Sequence, residues 1–205
     1  MVYKVQMKIY VVRHGLTELN KQKKVNGEID EPLAQEGIEQ AKEAISTLPD
    51  SITHIYTSPL LRARQTAEII GSALKIPAFP VKELTEIHMG TLAGKSWEEM
   101  ESGLELKEKH RSVQFDYQPF GGESVKDVHK RLVKFLKKIN GKHIDDQVLI
   151  ITHGGIIRFF HLLDSGEVPY ETEKHISLLE FDLKKILNQA RVETRFKHSL
   201  RFATV

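Results

Sequence analysis

The sequence predicts an α/β fold: a three-layer α/β/α sandwich with a mostly parallel central sheet and a small helical or looped insertion acting as a cap. Three observations carry that expectation. Strand-like apolar runs alternate with amphipathic helical stretches. The clearest run, Val148 to Ile151, is apolar at every position, as in a strand covered on both faces. Two of the runs end abruptly in His-Gly clusters. With 205 residues, 40% of them hydrophobic and 28% charged, the chain suits one compact domain over residues 1–205, with the cap at about 95–121.

Taken in order, Met7 to Val12 reads as a buried strand ending at Arg13-His14-Gly15. Pro32 to Leu48 places Leu33, Ile38, Ala41, Ala44, Ile45 and Leu48 at helical spacing and stops before Pro49. Thr53 to Thr57 is a short strand. Ser58 then reads as an N-cap with Pro59 at the first helical position, opening a helix to about Ala73. Ser124 with Asp127 predicts a capping box for a helix that carries Val125, Val128, Leu132, Phe135, Leu136 and Ile139 and stops at Asn140-Gly141. Gln147 to Thr152 is the continuous apolar strand, followed by His153-Gly154-Gly155, a helix over Ile156 to Leu163, and a later strand over Ile176 to Leu183. Glu101 to Gly121 lacks periodicity, which marks it as insertion.

Composition removes several function classes. Thirty basic and 28 acidic side chains, net +2, argue against a dedicated nucleic-acid or membrane-surface protein, and the lysine-rich runs at 21–24 and 130–138 read as solvated helix faces. No cysteine is present, so thiolate zinc sites, disulfides and Cys nucleophiles drop out. No apolar run approaches the ~20 residues of a membrane span, and Met1 to Tyr10 lacks the apolar core of a signal peptide, so a cytoplasmic location is the default expectation.

In a parallel sheet, functional groups gather beyond the carboxyl ends of the strands, where helix N-termini also present unpaired N–H groups. Arg13-His14-Gly15, Ser58 to Arg62 and His153-Gly154-Gly155 all fall there. Two imidazoles and two guanidinium groups would form a small positive pocket suited to a phosphoryl group. A metal is not expected at this place, because no Asp or Glu at a matching strand end completes three ligands and the arginines repel a cation. The remaining histidines (His54, His88, His110, His129, His143, His161, His175 and His198) are read as structural. Arg64 lies about 200° around a helix from Arg62, so only one of them can face the pocket.

These motifs, in order, resemble the histidine phosphatase superfamily, the phosphoglycerate-mutase-like proteins. The resemblance runs through Arg13-His14-Gly15-Leu16-Thr17-Glu18-Leu19-Asn20; Gly27, Asp30, Pro32-Leu33 and Gly37; Thr57 to Ala67; Leu84-Thr85-Glu86 with Gly90 and Gly94; Gly122-Glu123-Ser124; and Ile151 to Gly155. It implies that His14 is the nucleophile, that Arg13, Asn20, Arg62 and His153 surround the phosphate, and that Glu86 is the proton donor. Thr17, Gly27 and Gly154 are further phosphate- or substrate-binding candidates. An unprotonated imidazole, with an ordinary pKa near ~6.5, can attack phosphorus at neutral pH without a cofactor or metal. The rest of the reaction needs chiefly positioning and charge stabilisation.

The resembling proteins comprise phosphatases and cofactor-dependent mutases. In the mutases the acidic Glu is followed by an arginine and, two residues further, a tyrosine; here those positions hold Ile87 and Met89. The insertion is short and offers Lys107, Lys109, His110 and Arg111. Both departures favour a metal-independent phosphatase acting on a small phosphorylated metabolite. A phosphoglycerate mutase is the alternative, and a non-catalytic phosphate-binding module or a homodimer is left open.

Overall fold

Strand β1 (Lys8–Arg13) shows why the chain layers as it does. In the structure, a computed structural model describing residues 8–143, 146–171 and 173–196, its alternate side chains enter two different apolar clusters. Ile9 and Val11 face one side, Tyr10 and Val12 the other, as the two-residue period of a strand requires. Strand β4 (Gln147–Thr152) repeats the pattern, with Val148 and Ile150 on the first side and Leu149 and Ile151 on the second. The first cluster takes its cover from helices α5 (Val125–Lys142), α6 (Gly154–Ser165) and α7 (Leu183–Phe196), through residues such as Leu132, Phe159 and Ile186. The second is closed by Ala63, Ala67 and Ile70 of α3 (Leu61–Leu74), with α2 (Gln35–Ala44) packed on α3. The result is the α/β/α sandwich.

The sheet has five strands in the order β3-β2-β4-β1-β5, where β2 is His54–Thr57, β3 is Ala78–Pro80 and β5 is Leu178–Asp182. Strands β1 to β4 run parallel; β5 is an antiparallel edge on β1. Pairing of Arg13 with Thr152, extended by the His14 N–H donating to the Thr152 carbonyl at 2.9 Å, sets His14 and His153 side by side. The Ser58 N–H donates likewise to the Ile151 carbonyl, bringing the β2 end to the same rim.

Several boundaries differ from the sequence reading, each for a local reason. Helix α3 starts at Leu61, two residues beyond Pro59: the Ser58 hydroxyl accepts from the Leu60 N–H, and the carboxylate of Asp30, from a distant loop, accepts from the Leu61 N–H. Helix α2 starts at Gln35 because the N–H groups of Leu33 and Ala34 are already committed to Gln65 and to the Leu16 carbonyl; past Ala44 the chain tightens into a 3-10 turn over Ile45–Thr47. The Ser124–Asp127 capping box is present, and α5 runs on to Lys142. Helix α6 begins directly after His153 and extends to Ser165. Residues 95–121 contain a helix, α4 (Gly103–Arg111), between 3-10 turns, and the Val25 N–H donating to the Lys95 carbonyl ties this segment to the loop after β1, which carries the short helix α1 (Glu18–Lys21). No helix among the described residues is long and apolar enough to cross a membrane. Met7 and His198 lie outside the described residues.

Candidate active site

A cavity of about 190 Å³ opens at the carboxyl ends of the parallel strands and is lined in part by Arg13, His14, Asn20, Gly27, Glu86 and Gly154. His14 is buried at its base. Its Nδ1 lies 2.7 Å from the Gly15 carbonyl oxygen, which can only accept, so Nδ1 carries the hydrogen and Nε2 keeps its lone pair. Arg62, fully buried, donates Nε–H to that Nε2 at 3.2 Å. Its Nη1 and Nη2 are anchored on the carbonyls of Ile29 (2.7 Å) and Gly27 (2.9 Å). Gly27 supplies its carbonyl from a left-handed backbone, φ +49°, which a side chain would strain. Arg64, in contrast, is exposed on the other face of α3.

Burial, reinforced by the charges of Arg62 and Arg13, holds the His14 imidazole well below its ordinary pKa. His153, fully buried with its ring centroid 5.0 Å from that of His14, is lowered the same way, by burial first and then by Arg62. Burial also lowers Arg13, to about 10. Both ring nitrogens of His153 and Nε of Arg13 are buried without a hydrogen-bond partner. A buried donor left unpaired costs about 1–3 kcal/mol, and the Arg13 Nε–H together with the single N–H of neutral His153 suit hydrogen bonds to an anionic ligand. A divalent metal does not fit at this point, because cationic guanidinium groups stand where a metal would need anionic ligands.

Glu86 lies on the same cavity. Its Oε1 accepts from the Ile87 N–H at 3.0 Å and its Oε2 from the Gly155 N–H at 3.3 Å, at the amino end of α6. A Cβ on Gly155 would stand 2.5 Å from Glu86 Oε1, so glycine is what lets the carboxylate approach the helix. Arg131 of α5 holds this segment in place, donating to the carbonyls of Glu83 (2.7 Å) and Glu86 (3.2 Å). It also grips the Glu123 carboxylate with two bonds of 2.8 and 2.9 Å.

Asn20 donates Nδ2–H to Asn26 Oδ1 at 2.6 Å and leaves its own Oδ1 unpartnered. Thr17 is buried behind the lining: its hydroxyl oxygen caps α1 by accepting from the Asn20 N–H and also accepts from Asn26 Nδ2 at 3.1 Å. Its place supports the loop geometry and gives it no surface on the cavity.

Four cationic groups reach the cavity that the motif reading left unassigned: Lys24, Lys107, Arg111 and Arg158. Arg158 is held rigid by the carbonyls of Arg111 (3.0 Å) and Pro169 (2.7 Å). Its signal was available, since position 158 lies four residues, one helical turn, after Gly154. His110 and His175, read as structural, also stand at the site. His110 lines the cavity and burial lowers it to about 4; the His175 ring is 5.4 Å from His14, donates Nδ1–H to the His14 carbonyl at 2.8 Å, and burial lowers it to about 4. Ile87 is buried, and its side chain packs where a Gly155 Cβ would be, whereas Met89 presents an apolar edge to the cavity.

Comparison with known proteins gives the family and the fold. The family model of the histidine phosphatase superfamily, branch 1, matches residues 9–180. The chain is 34% identical over 155 residues to the phosphoglycerate mutase-like protein 4 of Arabidopsis thaliana, covering 73% of this chain and 67% of that one. It is 33% identical over 162 residues to the metal-independent phosphoserine phosphatase of the same plant, covering 75% and 67%. A mycobacterial glucosyl-3-phosphoglycerate phosphatase shares the fold, with a TM-score of 0.76 at 24% identity over 85% of this chain and 92% of that one. The chain belongs to the histidine phosphatase superfamily, branch 1, and is an enzyme of its phosphatase and mutase group.

Proposed function

We propose that the protein is a metal-independent phosphomonoesterase that works through a phosphohistidine on His14. The observation that carries this reading is the state of the His14 ring: Nδ1–H fixed on the Gly15 carbonyl, an unprotonated Nε2 whose lone pair accepts from the Arg62 Nε–H and is exchanged for phosphorus on substrate binding, and a depressed pKa that keeps the ring neutral. Nε2 attacks phosphorus, the P–O bond to the leaving group breaks, and the Glu86 carboxyl group delivers a proton to the departing oxygen. Water then attacks the phosphohistidine, Glu86 takes a proton back, and the P–N bond breaks to release phosphate. Arg13, Arg62 and the amino end of α6 at Gly154 offset charge on the phosphoryl oxygens, neutral His153 donates a hydrogen bond to them, and Asn20 and Gly27 shape the rim. Thr17 serves by holding Asn20 and Asn26.

The segment 95–121 acts as the cap. Through Lys107 and Arg111, together with Lys24 and Arg158, it favours a phosphomonoester that bears a second anionic group such as a carboxylate. The phosphoserine phosphatase relative supports that class. The apolar Ile87 and Met89 support hydrolysis over mutase transfer, because they leave no polar hold on a reorienting intermediate beside Glu86.

A panel of phosphorylated hydroxy and amino acids and sugar phosphates, assayed for released phosphate in excess EDTA beside a phosphoglycerate mutase assay, tests the reading. Phosphate release should exceed isomerisation. Interconversion of phosphoglycerates faster than their hydrolysis would assign the mutase activity instead.

A further inference from the structure

The amino ends of the strands, opposite the catalytic cavity, carry a second cluster of side chains. His54 opens β2, His143 follows the last residue of α5 as its C-cap, and Asp146 immediately precedes β4. Asp146 Oδ2 lies 2.7 Å from His143 Nδ1 and 3.5 Å from His54 Nδ1. One potential ligand atom from each residue falls within 4.8 Å of the other two. The two imidazole rings are tilted against each other with centroids 4.1 Å apart. Ligands bound tetrahedrally at ~2.0–2.1 Å from a zinc-class ion stand roughly 3.3 Å from one another, so changes in separation of a few tenths of an ångström to at most about 1.5 Å would convert this cluster into a coordination sphere.

We propose that His54, His143 and Asp146 bind one divalent transition-metal ion of the zinc class through the two Nδ1 atoms and a carboxylate oxygen, with water completing the sphere. Two imidazoles and one carboxylate favour zinc, cobalt, nickel or copper over magnesium and calcium, which take mainly oxygen ligands.

The surroundings are built for such an ion. Tyr56, buried beneath the cluster, places its hydroxyl 2.8 Å from His143 Nε2. Without metal, His143 Nδ1–H donates to Asp146 and Nε2 accepts from the Tyr56 hydroxyl. With metal, Nδ1 turns its lone pair to the ion and Nε2–H donates to the Tyr56 oxygen. A hydroxyl serves in either direction, so the buried network stays satisfied in both states, and it is the outer partner that ligating histidines generally have. On the other side, Thr53 Oγ1 lies 3.0 Å from His54 Nδ1 and donates to the Gln147 carbonyl at 3.2 Å; that bond survives when the proton of His54 moves to Nε2. Burial and the neighbouring His143 lower the His54 pKa, which reduces proton competition, while Lys142 opposes a cation and weakens affinity.

The ion would join the end of α5 to the starts of β2 and β4 and touch none of the catalytic groups. Its effect is on stability: at a hundredfold excess over its Kd it should raise the thermal midpoint by about 5–10 °C. The test uses full-length protein stripped with EDTA and titrated with cobalt(II), whose visible absorption reports low-coordinate nitrogen and oxygen ligation. One equivalent should give the absorption and raise the midpoint, and both responses should be lost in His54→Ala and in Asp146→Asn. Both substitutions lie at partly exposed positions and keep the buried His143. Phosphomonoesterase turnover of each variant should match the wild type. Absorption and midpoint shifts that persist unchanged in both variants would place the ion on other ligands and overturn the proposal. So would a wild type that shows neither response.

Discussion

Replacing Gly155 with alanine tests the placement of Glu86 without removing its carboxylate. The new Cβ would stand 2.5 Å from Glu86 Oε1 and 2.6 Å from Ile87 Cδ1. Ordinary contact requires a separation roughly 1 Å longer, so the carboxylate or the helix must yield by that amount. The Ile87 side chain is buried and has little room to give, so the displacement falls largely on Glu86 and on the 3.3 Å bond that Oε2 accepts from the Gly155 N–H. A misplacement of about 1 Å costs roughly 10²-fold in rate. Loss of general acid catalysis altogether costs ~10²- to 10⁴-fold, so Gly155→Ala should fall at or below the low end of Glu86→Gln. The assay is rapid-mixing measurement of the burst on an alkyl phosphate and on an aryl phosphate, whose leaving group departs with little help. The alkyl burst should fall by about 10²-fold and the aryl burst by much less, with the thermal midpoint recorded to confirm folding. Equal losses on both substrates would refute the reasoning, because they would mean that Glu86 positions phosphate or supports the fold and gives no proton. Glu123 would not replace it, since its carboxylate is locked on Arg131.

Stability should fall as pH drops from about 7 toward 4. His14, His110, His153 and His175 are held neutral by burial in the folded state, the second and fourth with pKa lowered to about 4, while the unfolded chain protonates each near ~6.5. Below ~6.5 the unfolded state therefore binds more protons; denaturant midpoints that rise on acidification over this window would contradict the assignment. Turnover at 25 °C should persist in excess EDTA, and loss restored by a divalent ion would point to a catalytic metal. Lys107→Ala with Arg111→Ala should raise KM for phosphorylated carboxylic acids about tenfold or more while leaving an aryl phosphate nearly unchanged; equal effects on both would remove the second-anion role.

The parts of the site that follow from chain-local rules were legible before the structure. His14 and His153 each precede glycine at the end of an apolar strand, and parallel pairing of those strands is what sets them together. Helical angle alone showed that Arg62 and Arg64 cannot both face the pocket, while the choice of Arg62 rested on the motif it matches; in the structure Arg62 is buried and Arg64 exposed. What escaped depends on contacts distant in sequence. The start of α3 is decided by Asp30, thirty-one positions from Leu61, and the start of α2 by Leu16 and Gln65. His175 reaches His14 from the loop before β5, 161 positions away, with no strand end or glycine to mark it. Arg158 differs, since its spacing from Gly154 on one helix face was a usable sign. Thr17, expected as a binding candidate because it lies in the first motif, is engaged in capping α1, which the Thr17–Asn20 spacing itself suggests.

The most direct test of the account is to find the phosphoryl group on the protein. Wild-type enzyme is mixed with a phosphorus-labelled aryl phosphate, quenched in alkali during the burst, and digested for peptide mapping, with phosphorus NMR to tell the two ring nitrogens apart. The account predicts no more than one label per chain, stable in alkali and lost in acid, on Nε2 of His14, and neither label nor turnover in His14→Ala. Label on a hydroxyl, a carboxylate or another histidine, or normal turnover by His14→Ala, would contradict it.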